Sequence, residues 1–191
     1  MSTRALREAF PEAETVMGVD TSPEMVAMAA FLTSHICLVS PLTKLLQSKV
    51  TTTYMVLKEQ GNKITHAADK LKATTFARCN AENTRLPSQS FDLVTVMYAF
   101  HEAPREGREK ILQEARRLLQ PGGTLAIVDI STDYEPSPSM LLGEPYVLEY
   151  QRTIHHQLQQ AEGFRLSEFK SLVPGHVGMW LMKRAPAFLA V

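Results

Sequence analysis

Thr15-Val16-Met17-Gly18-Val19-Asp20-Thr21-Ser22-Pro23-Glu24 is the stretch that decides the fold class. Its first six residues form an apolar run too short for a helix and closed by a carboxylate, which reads as a buried strand. Thr21 and Ser22 then offer a helix cap, Pro23 suits the first helical position, and Glu24 places an acid where the helix dipole favours one. Strand, turn and helix therefore follow within one short span. Working outward, Thr74–Cys79 and Phe91–Met97 read as further strands, the second nearly continuous in apolar residues, as a strand covered on both faces should be. A polar loop over 80–90 joins them. Arg105–Gln120 carries Ile111, Leu112, Ala115, Leu118 and Leu119 at helical spacing, and Pro121-Gly122-Gly123 is expected to stop it. Thr124–Ile130 reads as a buried strand. Glu144–Gln160 repeats apolar residues at Val147, Tyr150, Ile154 and Leu158, which predicts a helix, and Phe164–Val173 with His176–Lys183 flank Pro174-Gly175 as a hairpin. The alternation predicts a three-layer α/β domain with a mainly parallel sheet and a C-terminal antiparallel hairpin.

At 191 residues and 45% hydrophobic content the chain suits one domain with its own core. Its formal net charge is zero, so no overall field attracts nucleic acid. Cys37 and Cys79 are its two cysteines, which excludes a zinc ribbon and any framework of bridges and suits a reducing, cytoplasmic setting. Met25–Leu42 is the most apolar window, but Thr33, Ser34, His35 and Ser40 interrupt it, so a buried or interfacial helix is expected and no membrane span. Charge is unevenly spread. Residues 31–72 hold six of the nine lysines and none of the eleven arginines, against Glu59 and Asp69, and include Thr51-Thr52-Thr53. That shift in composition marks an insertion at about 31–65.

Ligands of open parallel sheets bind outside the carboxyl ends of the strands. The residues there are Asp20 and Thr21, Asn80, and Met97 to Glu102. A carboxylate such as Asp20 offers two acceptor oxygens to the vicinal diol of a ribose, which suits a nicotinamide cofactor as well as other adenosyl ligands. His101 titrates near neutrality and so can remove a proton, or can pack at the strand end; Glu102 can orient it. Tyr146 and Tyr150 can close over a substrate or belong to a core stripe. His155 and His156 point in different directions on a helix, so no metal site is expected.

Gly18-Val19-Asp20-Thr21-Ser22-Pro23-Glu24-Met25, Cys79-Asn80-Ala81-Glu82-Asn83 with Leu86-Pro87, Phe91-Asp92-Leu93-Val94, and Leu118-Leu119-Gln120-Pro121-Gly122-Gly123-Thr124-Leu125 occur in order, each on its expected element. Together they resemble the signatures of the class I S-adenosylmethionine-dependent methyltransferases, of the methyltransferase domain 11/25 type, over roughly residues 2–30 and 73–185. The resemblance implies a seven-stranded Rossmann-like sheet of order 3-2-1-4-5-7-6 and S-adenosylmethionine as cofactor. It implies Asp20 and Thr21 at the adenosyl ribose, Met25 and Ala81 against the adenine, Asn80 near the adenine amino group, and Met97 and Tyr98 lining the cofactor. Asn80 stands where many relatives have Asp, which forgoes the charge-assisted part of that bond, about 1 kcal/mol. His101 and Glu102 would face the acceptor, a small or lipid-like molecule and not a nucleic acid.

One family feature is missing: a first, central strand followed by a glycine-rich turn around the methionine part of the cofactor. The opening Ser2-Thr3-Arg4-Ala5-Leu6-Arg7 looks like the helix after that turn, so the domain is expected to be N-terminally incomplete and to lack its central strand. Weak or absent cofactor binding is expected in turn, as is a homo- or hetero-oligomer that completes the sheet. A non-catalytic methyltransferase-like remnant or partner subunit, and a nicotinamide-binding dehydrogenase fragment, stay as alternatives to an enzyme.

Overall fold

The computed structural model describes residues 3–35, 52–57 and 74–186. In chain order these form α1 (Thr3–Ala9), β1 (Thr15–Asp20), α2 (Pro23–His35), β2 (Thr52–Leu57), β3 (Thr74–Arg78) and β4 (Phe91–Met97). Then come α3 (Arg105–Leu118), β5 (Leu119–Ile130), α4 (Pro138–Gly143), α5 (Val147–Gln159), β6 (Phe164–Val173) and β7 (Val177–Arg184). Seven strands hydrogen-bond in the order β3-β1-β2-β4-β5-β7-β6. β1 pairs with β3 and β4 with β5 in parallel, while β7 runs antiparallel to β5 and β6. The expected α/β fold with a C-terminal hairpin is therefore the observed one.

The centre of the sheet departs from the expected plan. A parallel strand is missing there, as the sequence implies, yet the place is not vacant. β2, which lies inside the predicted insertion, fills it and runs antiparallel to both neighbours: Met55 stands opposite Met17 of β1 and Val94 of β4. Thr52-Thr53-Tyr54 is rich in β-branched and aromatic residues, which suit an extended backbone. A strand with partners on both edges satisfies its backbone donors and acceptors inside the sheet, where water does not reach them. The chain thus supplies its own strand to the position expected to be completed from outside. Residues 31–35 of the insertion end α2, and its residues 36–51 and 58–65, with Cys37 and residues 36–42 of the apolar window, lie outside the described residues. Among the described residues no helix is long and apolar enough to cross a membrane.

Both faces of the sheet are covered. Val94, Val96, Leu125 and Ile127 pack with Ile111, Leu112 and Leu118 of α3, Tyr150, Ile154 and Leu158 of α5, and Trp180 of β7. On the other face Leu6 of α1 and Ala13 meet Val16, Met97 and Val128. Each such side chain, once buried, contributes about 1.5–3 kcal/mol against exposure. Two of the boundaries that differ from expectation trace to proline or glycine. Helix α3 stops at Leu118, and Gln120-Pro121-Gly122-Gly123 forms the irregular start of β5, where the register with β4 shifts. Gly122 has φ +79, which side chains rarely adopt. The helix expected from Glu144 begins at Val147, because Pro145 pushes the preceding Glu144 out of the helical region, to φ −128 and ψ 82.

Replacing Met55 by Pro removes a backbone donor from the middle of the sheet and should lower unfolding stability by about 3 kcal/mol or more, read from urea midpoints. An unchanged midpoint would mean that β2 is not paired on both edges.

Candidate active site

β1, β3, β4 and β5 run in one direction, so Asp20, Asn80, Tyr98 and Ser131 emerge at one edge of the sheet. β2 runs the other way and begins at this edge, with Thr53 opposite Val19 and Thr52 opposite Met97. The chain after β4 turns sharply through Tyr98, a non-glycine residue at φ 51 whose N–H donates to the Val128 carbonyl at 2.8 Å. A left-handed backbone at such a residue costs of order 1–3 kcal/mol and persists only where the surroundings hold it.

The surroundings are explicit. Asp129, fully buried near the end of β5, accepts the N–H of Phe100 at 2.8 Å and that of Ile130 at 2.7 Å, and its Oδ1 lies 2.5 Å from Nδ1 of His101. A carboxylate inside a core is tolerable when donors replace its water, as three do here. Fixing the proton of the neutral ring on Nδ1 leaves the lone pair on Nε2. Nε2 faces Glu144 Oε2 at 3.4 Å and Glu102 Oε1 at 3.8 Å. Burial alone would lower the pKa of His101, but the Asp129 hydrogen bond and the charges of Asp129, Glu144 and Glu102 outweigh it and raise the pKa above its usual value.

Arg108 of α3 supports the same loop from beneath. Fully buried, it donates to the carbonyls of Ala103 at 2.8 Å and Phe100 at 3.4 Å, to Glu149 Oε2 at 2.6 Å and to Gln157 Oε1 at 2.8 Å, which ties the loop to α5. Tyr150 is fully buried, donates to the Ile130 carbonyl at 2.9 Å and meets the His101 ring edge-on at a centroid distance of 6.4 Å. It belongs to the core stripe, whereas Tyr146, at the start of α5, is exposed.

The residues expected around an adenosyl group lie side by side. Asp20 ends the β1–β3 ladder, where its carbonyl accepts from Cys79 N at 2.9 Å and its Oδ1 accepts from Ser22 N at 2.9 Å. Asn80 comes next along β3, exposed, with Oδ1 accepting from Glu82 N at 2.9 Å and a second lone pair left for another donor. Ala81 and Met25 are half-buried, Thr21 is exposed, Met97 is buried between the sheet and α1, and Tyr98 is half-buried at the turn. Glu114 anchors the loop after Asn80 by accepting from Thr84 N at 2.8 Å and Thr84 Oγ1 at 2.6 Å. Burial would raise its pKa, yet Arg117 and Thr84 hold it at about 2. Paired oxygens at adjacent strand ends beside half-buried apolar groups fit the adenosyl half of S-adenosylmethionine. The same edge carries the start of β2, in place of a turn leaving a parallel strand.

Comparison with known proteins finds similarity to methyltransferases. A family model described as a methyltransferase domain matches residues 37–127. The chain is thus similar, over just under half of its length, to a methyltransferase domain. It is 34% identical over 68 residues to the ubiquinone/menaquinone biosynthesis C-methyltransferase UbiE of Cupriavidus pinatubonensis, covering 36% of the chain and 27% of that protein. It is 28% identical over 137 residues to the phthiotriol/phenolphthiotriol dimycocerosates methyltransferase of Mycobacterium tuberculosis, covering 71% of the chain and 50% of that protein. It thus spans a quarter to a half of the length of these relatives. In fold it is similar to an S-adenosylmethionine-dependent methyltransferase of Methanosarcina mazei, with TM-score 0.57 and 15% identity over 95% of the chain and 87% of that structure.

Sequence reasoning found His101 and Glu102 but not Asp129, Glu144 or Arg108. The missed signal at Asp129 is a lone carboxylate in an otherwise apolar buried strand, which needs donors. Replacing Asp129 by Asn removes the charge that favours protonated His101, so NMR titration should show the imidazole pKa fall. Because the folded pKa is raised, the ion pair stabilises fully below the unfolded value of about 6.5 and fades as pH rises through the folded one, so the variant should lose more stability in acid than in alkali. An imidazole pKa that does not move would contradict the pairing.

Proposed function

We propose that this chain transfers a methyl group from S-adenosylmethionine to a small or lipid-like acceptor, with His101 taking the acceptor's proton. One observation carries the reading: Asp129 and His101 form a buried hydrogen-bonded pair just after β4, at the carboxyl edge of the sheet, and the other ring nitrogen faces Glu144 and Glu102. Bound there, the cofactor supplies an electrophilic methyl carbon. Asp20 and Asn80 would hold its adenosyl half. The His101 Nε2 lone pair would accept the proton that leaves the acceptor atom, and Asp129 would stabilise the resulting imidazolium. The segment that brings Glu144 to His101 also carries Leu141, Leu142, Tyr146 and Leu148, all exposed, which offers apolar surface beside the polar centre. That surface supports an acceptor with an apolar portion, as do the names of the two relatives, whose products are lipid-like.

A second reading, a methyltransferase-like chain without turnover, is favoured by the direction of β2. Its start occupies the edge where the family's glycine-rich turn would cradle the methionine half, so binding weaker than micromolar is expected of this chain. Labelled S-adenosylmethionine offered with quinol-like and long-chain hydroxy acceptors separates the two. Under the first reading methyl transfer is detected, His101→Gln lowers it by about 10²-fold or more, and the rate rises with pH through a midpoint above about 6.5, because protonated His101 accepts no proton. Calorimetry that finds no cofactor binding, with no transfer to any acceptor, would establish the second.

A further inference from the structure

Three potential ligand atoms converge beside the Asp129–His101 pair: Nε2 of His101, Oε1 of Glu102 and Oε2 of Glu144 all lie within 4.8 Å of one another. The His101 side chain is only 6% exposed, and neither carboxylate contact of its Nε2 is a hydrogen bond: the 3.8 Å contact is too long, and Glu144 Oε2 is a buried oxygen with no hydrogen-bond partner. A carboxylate oxygen out of water and without a donor calls for a cation to offset its desolvation. We propose that His101, Glu102 and Glu144 form a binding site for a divalent cation of the zinc type.

The spacing suits such an ion. Two ligand atoms each about 2.1 Å from a tetrahedral centre stand about 3.4 Å apart, the separation of Nε2 from Glu144 Oε2. The outer contact suits it too. A metal-bound imidazole ordinarily donates its other N–H to a carboxylate, which fixes the ring, and Asp129 does this at Nδ1. Local sequence explains the convergence. Glu102 adjoins His101 in the chain, and Pro145 holds Glu144 extended so that it turns back toward the sheet instead of out along α5. Glu102 and Glu144 are 46% and 30% exposed, which gives an ion a route from solvent, and a fourth position stays open for water or an acceptor oxygen. One imidazole with two carboxylates and no thiolate selects a borderline divalent ion over a soft one. The site stands on this geometry and not on methyl transfer. The Nε2 lone pair serves the ion or an acceptor's proton, never both at once, so a bound ion withholds His101 from the proposed proton transfer.

Calorimetry of the full chain with Zn²⁺ alone, followed by visible absorption of the Co²⁺ form, tests the site without any assay of activity. One equivalent should bind, with the absorption of a low-coordinate nitrogen and oxygen site, and Glu144→Gln and Asp129→Asn should each weaken binding by about 10–100-fold. Glu102→Gln, at an exposed position, should weaken it as well with the circular dichroism spectrum unchanged, which guards against a variant that fails to fold. His155→Gln and Cys79→Ser should leave the affinity as it is. The absence of binding, or binding that Glu102→Gln and Glu144→Gln leave unaltered, would overturn the proposal. Loss of methyl transfer alone would not.

Discussion

Residues 52–57 hydrogen-bond on both edges, to β1 on one side and to β4 on the other, and among the described strands only they connect the two halves of the sheet. β3 and β1 stand on one flank, and β4, β5, β7 and β6 on the other. Asp20 and Asn80 belong to the first flank, and His101, Asp129 and Glu144 to the second, so the spacing between these two groups of residues is set across β2. A parallel sheet admits one reversed strand at its centre because either direction satisfies the same backbone donors and acceptors. What changes is the connection. A parallel strand would leave the centre at the functional edge, whereas β2 starts there.

On the second flank a single buried carboxylate organises the chemistry. Asp129 holds the Phe100 amide and the His101 ring together, so the sharp turn at Tyr98 and the orientation of the imidazole have one cause. Arg108 fixes the far end of the same loop through two carbonyls and passes the constraint on to α5 through Glu149 and Gln157. A charge pair held this firmly is costly to build in a core and is well suited to a group that must change protonation state without moving. Fold alone does not assign the reaction, and the reading of the function rests on this pair.

Most of the fold was legible because the elements announce themselves by period and punctuation. Thr15–Asp20 and Phe91–Met97 are strands at the expected bounds, and the stripe Val147, Tyr150, Ile154 and Leu158 is the buried face of α5. β2 was not legible as a sheet centre. Its composition marked it as foreign to the domain, and strand propensity carries no information on partner or direction. Asp20, Asn80 and His101 could be placed at the ligand edge because each follows a strand. Asp129 and Glu144 could not, since one lies within a strand and the other reaches the site only after a proline break. Such long-range convergence has no local signature.

The central claim is the antiparallel strand at the middle of the sheet, and NMR contacts between backbone Hα atoms test it most directly. Opposed residues of antiparallel strands approach closely at their Cα atoms in alternate pairs, which parallel strands do not do. The account predicts Hα–Hα contacts from residues 52–57 to Thr15–Val19 on one side and to Leu93–Met97 on the other, in the register that sets Met55 opposite Met17 and Val94. A parallel pattern of contacts at these residues, or contacts to one neighbour only, would contradict it.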